Sequence, residues 1–166
     1  MNKKALIFGV SGQDGSYLAE LLLEKGYEVT GVTRRVSVST TERINHILPQ
    51  ITIAEGDITD GFSVNKLISE YEPDEIYNLA AQSHVRGSFD TPEETTEIVA
   101  MGTLRLLEAY RNICPEAKFY QASSSEMFGD NPENPQSEAT RLMPASPYAC
   151  AKTYAHNLCR NYRDCL

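Results

Sequence analysis

The sequence is short of the features that would tie it to a membrane, a metal or a nucleic acid. No apolar run approaches the ~20 residues that span a bilayer, and the opening M-N-K-K leads straight into a short strand pattern. Its 15 lysines and arginines are outnumbered by 23 acidic residues, for a net charge of −8. Without a basic stripe to meet a phosphate backbone, no nucleic-acid partner is expected. The four cysteines (Cys114, Cys150, Cys159, Cys165) form no C-x-x-C and stand at no metal-ligand spacing from the three histidines, His46, His84 and His156. Reduced structural thiols, surface or packing histidines and no metal are expected. Internal repeats and low-complexity tracts are also missing. The expectation is a cytoplasmic protein with no membrane contact.

What is present is an ordinary globular composition, 41% hydrophobic over 166 residues. That is one domain by length, residues 1–166, with enough chain to bury a sizeable core.

The most informative stretch is Ala5 to Gly15, A-L-I-F-G-V-S-G-Q-D-G. Ala5 to Phe8 read as a buried parallel strand. Gly9, Gly12 and Gly15 follow at spacings of three, and Tyr17, Leu18, Leu21 and Leu22 open a helical pattern. Strand, glycine turn and helix start are the parts of a dinucleotide cradle. Glycines let the backbone pass close to a pyrophosphate, and the helix start offers free N–H groups at the positive end of its dipole. The plainer alternative is a glycine-rich turn in an ordinary α/β protein.

The rest of the chain alternates strand and helix. Strands are expected at about Lys4–Phe8, Glu28–Thr33, Ile51–Glu55, Glu75–Leu79 and Lys118–Ala122. Helices are expected from about Asp14 to Lys25 with Gly26 as the stop, through Val64, Leu67, Ile68 and Tyr71 up to Pro73, and from about Glu93 to Asn112. Ser124 to Ser146 read as a loop, and a last helix begins at Pro147. This order predicts an α/β fold with a doubly wound parallel sheet, whose ligands sit beyond the C-terminal strand ends. Gly9, Arg34, Asp57, Ala80 and Ser123 all fall at or just past those ends.

Three groups of residues carry chemistry. Arg34 and Arg35 end the second strand, where an acidic residue would suit a free ribose hydroxyl. Guanidinium groups pair instead with a 2′-phosphate, so NADP is expected over NAD; a solvated basic pair is the alternative. Tyr148 and Lys152 are four apart on a predicted helix and share a face. A lysine cation beside a phenol favours the phenolate and suits it to proton transfer with an alcohol. Ser123, Ser124, Ser125 and Glu126 follow the fifth strand. A serine hydroxyl can share the substrate oxygen, although serines after a strand are also plain turn formers. A carboxylate at Glu126 can move a proton that simple oxidation never touches, although a glutamate at a loop start is also a plain surface residue.

These residues together resemble the extended short-chain dehydrogenase/reductases that act on nucleotide sugars. G-V-S-G-Q-D-G-S-Y-L, V-T-R-R, I-Y-N-L-A-A-Q-S-H-V, F-Y-Q-A-S-S-S-E-M-F-G and S-P-Y-A-C-A-K resemble the GDP-mannose 4,6-dehydratase family within them. The resemblance implies NADP held at the pyrophosphate by Gly9, Ser11, Gly12, Gln13 and Asp14, with Gly15 completing the turn. It implies Arg34 and Arg35 at the 2′-phosphate, Asp57 and Ile58 near adenine, and Leu79, Ala80, Ala81, Gln82 and Ser83 on the nicotinamide side. Tyr148 and Lys152 would serve both ribose and reaction, and the catalytic group would be Ser124, Glu126, Tyr148 and Lys152. GDP-mannose is the implied substrate: oxidation at C4, loss of water across C5 and C6, and reduction at C6. Glu94 stands where the family often carries a tyrosine, and Ala145 where an arginine commonly precedes S-P-Y.

The resemblance further implies a homo-oligomer, with the segment Val36 to Arg43 in bridging contacts between subunits. It also implies a longer chain, so that these residues form the cofactor-binding part and a C-terminal substrate domain is absent. Two other readings remain: a different NADP-dependent nucleotide-sugar epimerase or reductase, and a non-catalytic cofactor-binding fragment.

Overall fold

The computed structural model describes residues 2–37 and 40–165. They form two compact units, one of residues up to 80 together with 105–122, the other of 81–104 and 123 onward.

The first unit holds five parallel strands: β1 (Lys4–Phe8), β2 (Glu28–Thr33), β3 (Thr52–Glu55), β4 (Glu75–Asn78) and β5 (Lys118–Gln121). Their order is β3-β2-β1-β4-β5. The chain therefore winds outward from β1 in one direction, then returns to β1 and winds the other way. Phe8 pairs with Val32 on one side and Asn78 on the other, which puts the strands' C-terminal ends on one edge. The ladder runs one residue further at two places: the Leu79 N–H donates to the Phe8 carbonyl, and the Ala122 N–H to that of Asn78.

Local sequence accounts for the helices around this sheet. Helix α1 (Gln13–Glu24) turns Ala19 and Leu22 inward, where they pack with Ala5, Ile7, Val10 and Val29. It stops because Gly26 and Tyr27 donate back to the carbonyls of Leu23 and Leu22, a Schellman ending. Helix α2 (Gly61–Tyr71) starts at Asp60, whose side chain accepts the Phe62 N–H, and buries Val64, Leu67 and Ile68. Strands buried on both faces explain why Ala5 to Phe8 are apolar without alternation. At the opposite strand ends, buried Glu75 accepts hydrogen bonds from Lys3 Nζ at 3.1 Å, Tyr27 OH at 3.2 Å and Tyr77 OH at 2.6 Å. Burial alone would raise the Glu75 pKa, but these three donors outweigh it and the carboxyl lies below its usual range.

The expected long helix from Glu93 differs in detail. Helix α3 (Pro92–Thr96) starts on a proline, a π-helical stretch follows over Glu97–Met101, and helix α4 (Gly102–Ile113) continues. Small side chains at this point let another helix come close: Val99 and Ala100 pack with Ala151 and Ala81 in the second unit. That unit also holds a tight turn at Arg86–Phe89, another at Ser125–Phe128 in the irregular segment that follows β5, and helix α5 (Pro147–Cys165).

Candidate active site

In the first unit the candidate residues gather on the C-terminal strand edge. Gly9 follows β1 with φ +86°, a conformation that disfavours any side chain. A Cβ there would also lie 2.9 Å from the Ala80 nitrogen and the Leu79 carbonyl carbon, so the turn after β1 runs backbone against backbone with the end of β4. The Gly12 N–H donates to the Gly9 carbonyl at 3.1 Å, and α1 begins with no side chain capping its first turn. Gly15 is buried, and a Cβ on it would run into the Gly9 carbonyl oxygen. Ser11, Gln13 and Asp14 stand on the rim of this turn, with Gln13 and Asp14 exposed.

Arg34 and Arg35 are exposed just beyond β2, and Arg35 Nε makes a long 4.0 Å contact with Glu55. Asp57, past β3, is committed to its own turn. Its Oδ1 accepts from the Thr59 N–H at 2.8 Å and from the Thr59 hydroxyl at 2.7 Å. Ile58 is buried. Leu79 and Ala80 close this set. Val38 and Ser39, from the segment expected to bridge subunits, lie outside the described residues.

The second unit contains the residues expected to do chemistry. Tyr148 and Lys152 are both buried, one turn apart on α5, with the ammonium 5.8 Å from the centre of the phenol ring. Burial pulls the Lys152 pKa down to about 8. The first turn of α5 is held twice. Ser146 Oγ accepts the Ala149 N–H at 3.0 Å, and the fully buried Ser88 accepts the Tyr148 N–H at 3.2 Å while donating to the Val85 carbonyl at 2.6 Å. Ser124 starts the tight turn by accepting the Glu126 N–H at 3.2 Å, and this leaves the Glu126 side chain exposed. Gln82 accepts the His84 N–H, and His84 Nδ1 in turn accepts the Gly87 N–H at 2.8 Å. Ala81 packs in the small cluster with Ala151, and Ser83 is exposed. Glu94 and Ala145 are both exposed.

Sequence reasoning missed Ser88, Ser146 and His156. Ser146 was within reach, as a serine directly before a helix that begins on proline. His156 carried a weaker signal: it lies one further turn along the face of Tyr148 and Lys152. Nothing in the sequence pointed to Ser88, whose bond to Tyr148 joins residues 60 apart.

A parallel sheet in this order, turned after its first strand through a glycine-rich turn in which Gly9 and Gly15 leave no room for a side chain, defines a Rossmann-type α/β fold. The family profile described as GDP-mannose 4,6 dehydratase matches residues 6–165. The GDP-mannose 4,6-dehydratase of Vibrio cholerae is 54% identical over 173 residues, covering 99% of this chain and 46% of that protein. Among solved structures, the UDP-Glc/GlcNAc 4-epimerase of Campylobacter jejuni is similar in fold, with a TM-score of 0.89 at 23% identity over 97% of this chain and 49% of its own. The enzyme WbmH of Bordetella bronchiseptica, solved with NAD+, is 27% identical with a TM-score of 0.84, over 98% of this chain and 53% of its own. The chain belongs to the GDP-mannose 4,6-dehydratase family. It spans about half the length of the curated relatives it matches.

Proposed function

We propose that the chain is the cofactor-binding and catalytic part of an NADP-dependent dehydratase that converts GDP-mannose to GDP-4-keto-6-deoxy-mannose. The observation that carries this reading is the trio in the second unit: a buried Tyr148–Lys152 pair on one helix and, in the same unit, an exposed carboxylate on a turn capped by Ser124. Family membership supplies the substrate class.

The glycine turn supports the cofactor. Bare backbone at Gly9, Gly12 and Gly15, beside a helix start without a side-chain cap, suits a pyrophosphate. Arg34 and Arg35 offer the charge a 2′-phosphate requires, which is the reason to name NADP rather than NAD. A nicotinamide held there would supply the redox chemistry, reversible hydride transfer with the sugar.

The chain's own residues handle the protons. Tyr148 takes the C4 hydroxyl proton as the C4–H bond breaks, and Lys152 stabilises the phenolate by its charge. The resulting ketone acidifies the C5–H bond. Glu126 removes that proton as the C6 hydroxyl leaves as water, with Ser124 sharing the C4 oxygen. Reduction at C6 and return of a proton to C5 complete the turnover, with no net oxidation.

A 4-epimerase is the second reading, favoured by the fold likeness to such enzymes. Turnover in heavy water separates the two. A dehydratase releases one water from the sugar and places solvent deuterium at C5; a 4-epimerase does neither. Glu126→Gln should lower formation of the 6-deoxy product by about 10²-fold or more while leaving nicotinamide binding intact. Unchanged turnover in that variant would remove the dehydratase assignment.

A further inference from the structure

Ser123 Oγ lies 2.9 Å from His156 Nδ1, in a hydrogen bond that the mechanism above does not use. Its two ends belong to the two segments of the second unit that carry the candidate catalytic side chains. Ser123 directly precedes Ser124, whose hydroxyl accepts the Glu126 N–H and starts the turn Ser125–Phe128. His156 stands one turn beyond Lys152 and two beyond Tyr148 on α5, so the i, i+4 spacing puts all three on one face.

We propose that His156 is a positioning residue: its ring tethers Ser123 to α5 and so sets where the Glu126 turn stands relative to the Tyr148–Lys152 pair. The downstream side of the turn already has an anchor. Met127 is buried, and its carbonyl accepts the Met143 N–H at 3.0 Å. The upstream side leaves the end of β5, where the Ala122 N–H donates to the Asn78 carbonyl, through Ser123, which is exposed, and the bond to His156 joins Ser123 to α5. A carboxylate that must meet a C–H bond works only when held to within a fraction of an ångström of the groups it works with. The tether at Ser123 ties the turn to the helix that carries those groups. This inference rests on the dehydratase reading for what the turn does, but the tether itself is measurable without turnover.

The test compares amide hydrogen exchange in the protein and in its His156→Ala, His156→Asn, Ser123→Ala and doubly substituted forms. An asparagine amide reaches about as far as imidazole Nδ1 and can keep the bond to Ser123. In His156→Ala and in Ser123→Ala, exchange at Glu126 and Met127 should rise about fivefold, while exchange in β1 to β5 stays at the parent rate. His156→Asn should return toward the parent rate, and the double substitution should exceed neither single one. kcat for GDP-mannose should fall and recover in the same order with KM little moved. Unchanged exchange at Glu126 in His156→Ala, failure of asparagine to restore it, or additive effects in the double form would each overturn the proposal. If exchange behaves as expected but the parent turns over no GDP-mannose, the tether stands and the dehydratase reading falls.

Discussion

The two compact units present their candidate residues in different materials. In the first, the candidate surface is main chain. Gly9, Gly12 and Gly15 contribute by having no side chain, and at Gly9 the neighbouring backbone of Leu79 and Ala80 leaves no room for one. In the second, the candidate groups are side chains: a buried phenol and ammonium on α5, and a carboxylate on a turn capped by a serine. A site made of backbone is broken by adding atoms, and a site made of side chains by removing them. The two should therefore fail differently.

The largest effect is expected at Gly9. Gly9→Val forces a β-branched residue to φ +86° and drives its side chain into the backbone after β4. The combined strain and overlap should cost more than about 3 kcal/mol, read as a lower urea midpoint, together with loss of NADP binding. Survival of both stability and binding would mean that the turn relaxes easily, and the contrast between the units would lose its first half.

Lys152 should behave in the opposite way. Its ammonium is buried, and its pKa of about 8 lies below that of a lysine in the unfolded chain. Below pH 8 both states hold the proton and the folded state bears the desolvation penalty. Stability should then rise as the pH climbs from about 8 to about 10.4, where only the unfolded state still binds the proton. Lys152→Met should flatten that rise and hold or raise stability at pH 7 by up to about 3 kcal/mol. The same change should lower turnover by about 10²-fold or more. Melting curves across this pH range check the first part and turnover the second. A variant that is less stable at pH 7 would show that Lys152 serves the fold rather than the reaction.

The same division governs what the sequence shows of the molecule. The apolar run Ala5 to Phe8, the glycine spacing and the Tyr148–Lys152 interval are local patterns, and each element they mark is present within a residue or so. The exposed Glu126 also sits where its segment suggested, just past β5. Features made by distant partners were invisible. Glu93 to Asn112 reads as one helix throughout, so nothing in it marks the π-helical stretch where Val99 and Ala100 meet Ala151. Glu75 reads as the start of a strand. Its burial depends on Lys3, Tyr27 and Tyr77 arriving from three other places or registers.

That carboxylate offers a control within the first unit, since it is a side-chain device far from the glycine turn. Its pKa lies below the usual range, so its stabilisation is present above the unfolded carboxyl's pKa and is lost as the pH falls through the folded one. Glu75→Gln should cost about 1–3 kcal/mol at pH 7 and weaken the acid side of the stability profile. NADP binding should be unaffected. If it fell with stability, the two ends of the sheet would be coupled and the turn could not be treated by itself.

The smallest effects sharpen the comparison within the second unit. Ser146 and Ser88 each hold one N–H in the first turn of α5, but their surroundings differ. Ser146 caps the helix with one buried bond, and Ser146→Ala should cost about 1–2 kcal/mol with little change in turnover, because only the Ala149 N–H loses its partner. Ser88 is fully buried and uses its hydroxyl twice, accepting from the Tyr148 N–H and donating to the Val85 carbonyl. Ser88→Ala leaves both without that partner and should cost about 1–3 kcal/mol. Because one of them is the backbone of the tyrosine proposed to act in catalysis, kcat should fall as well, and Ser88→Thr should recover part of it where the extra methyl fits. Equal stability losses with equal kcat in the two alanine variants would mean that the phenol is positioned by helix packing alone. A kcat loss confined to Ser88→Ala would show instead that a serine 60 residues away sets the position of Tyr148 and that this position matters to turnover.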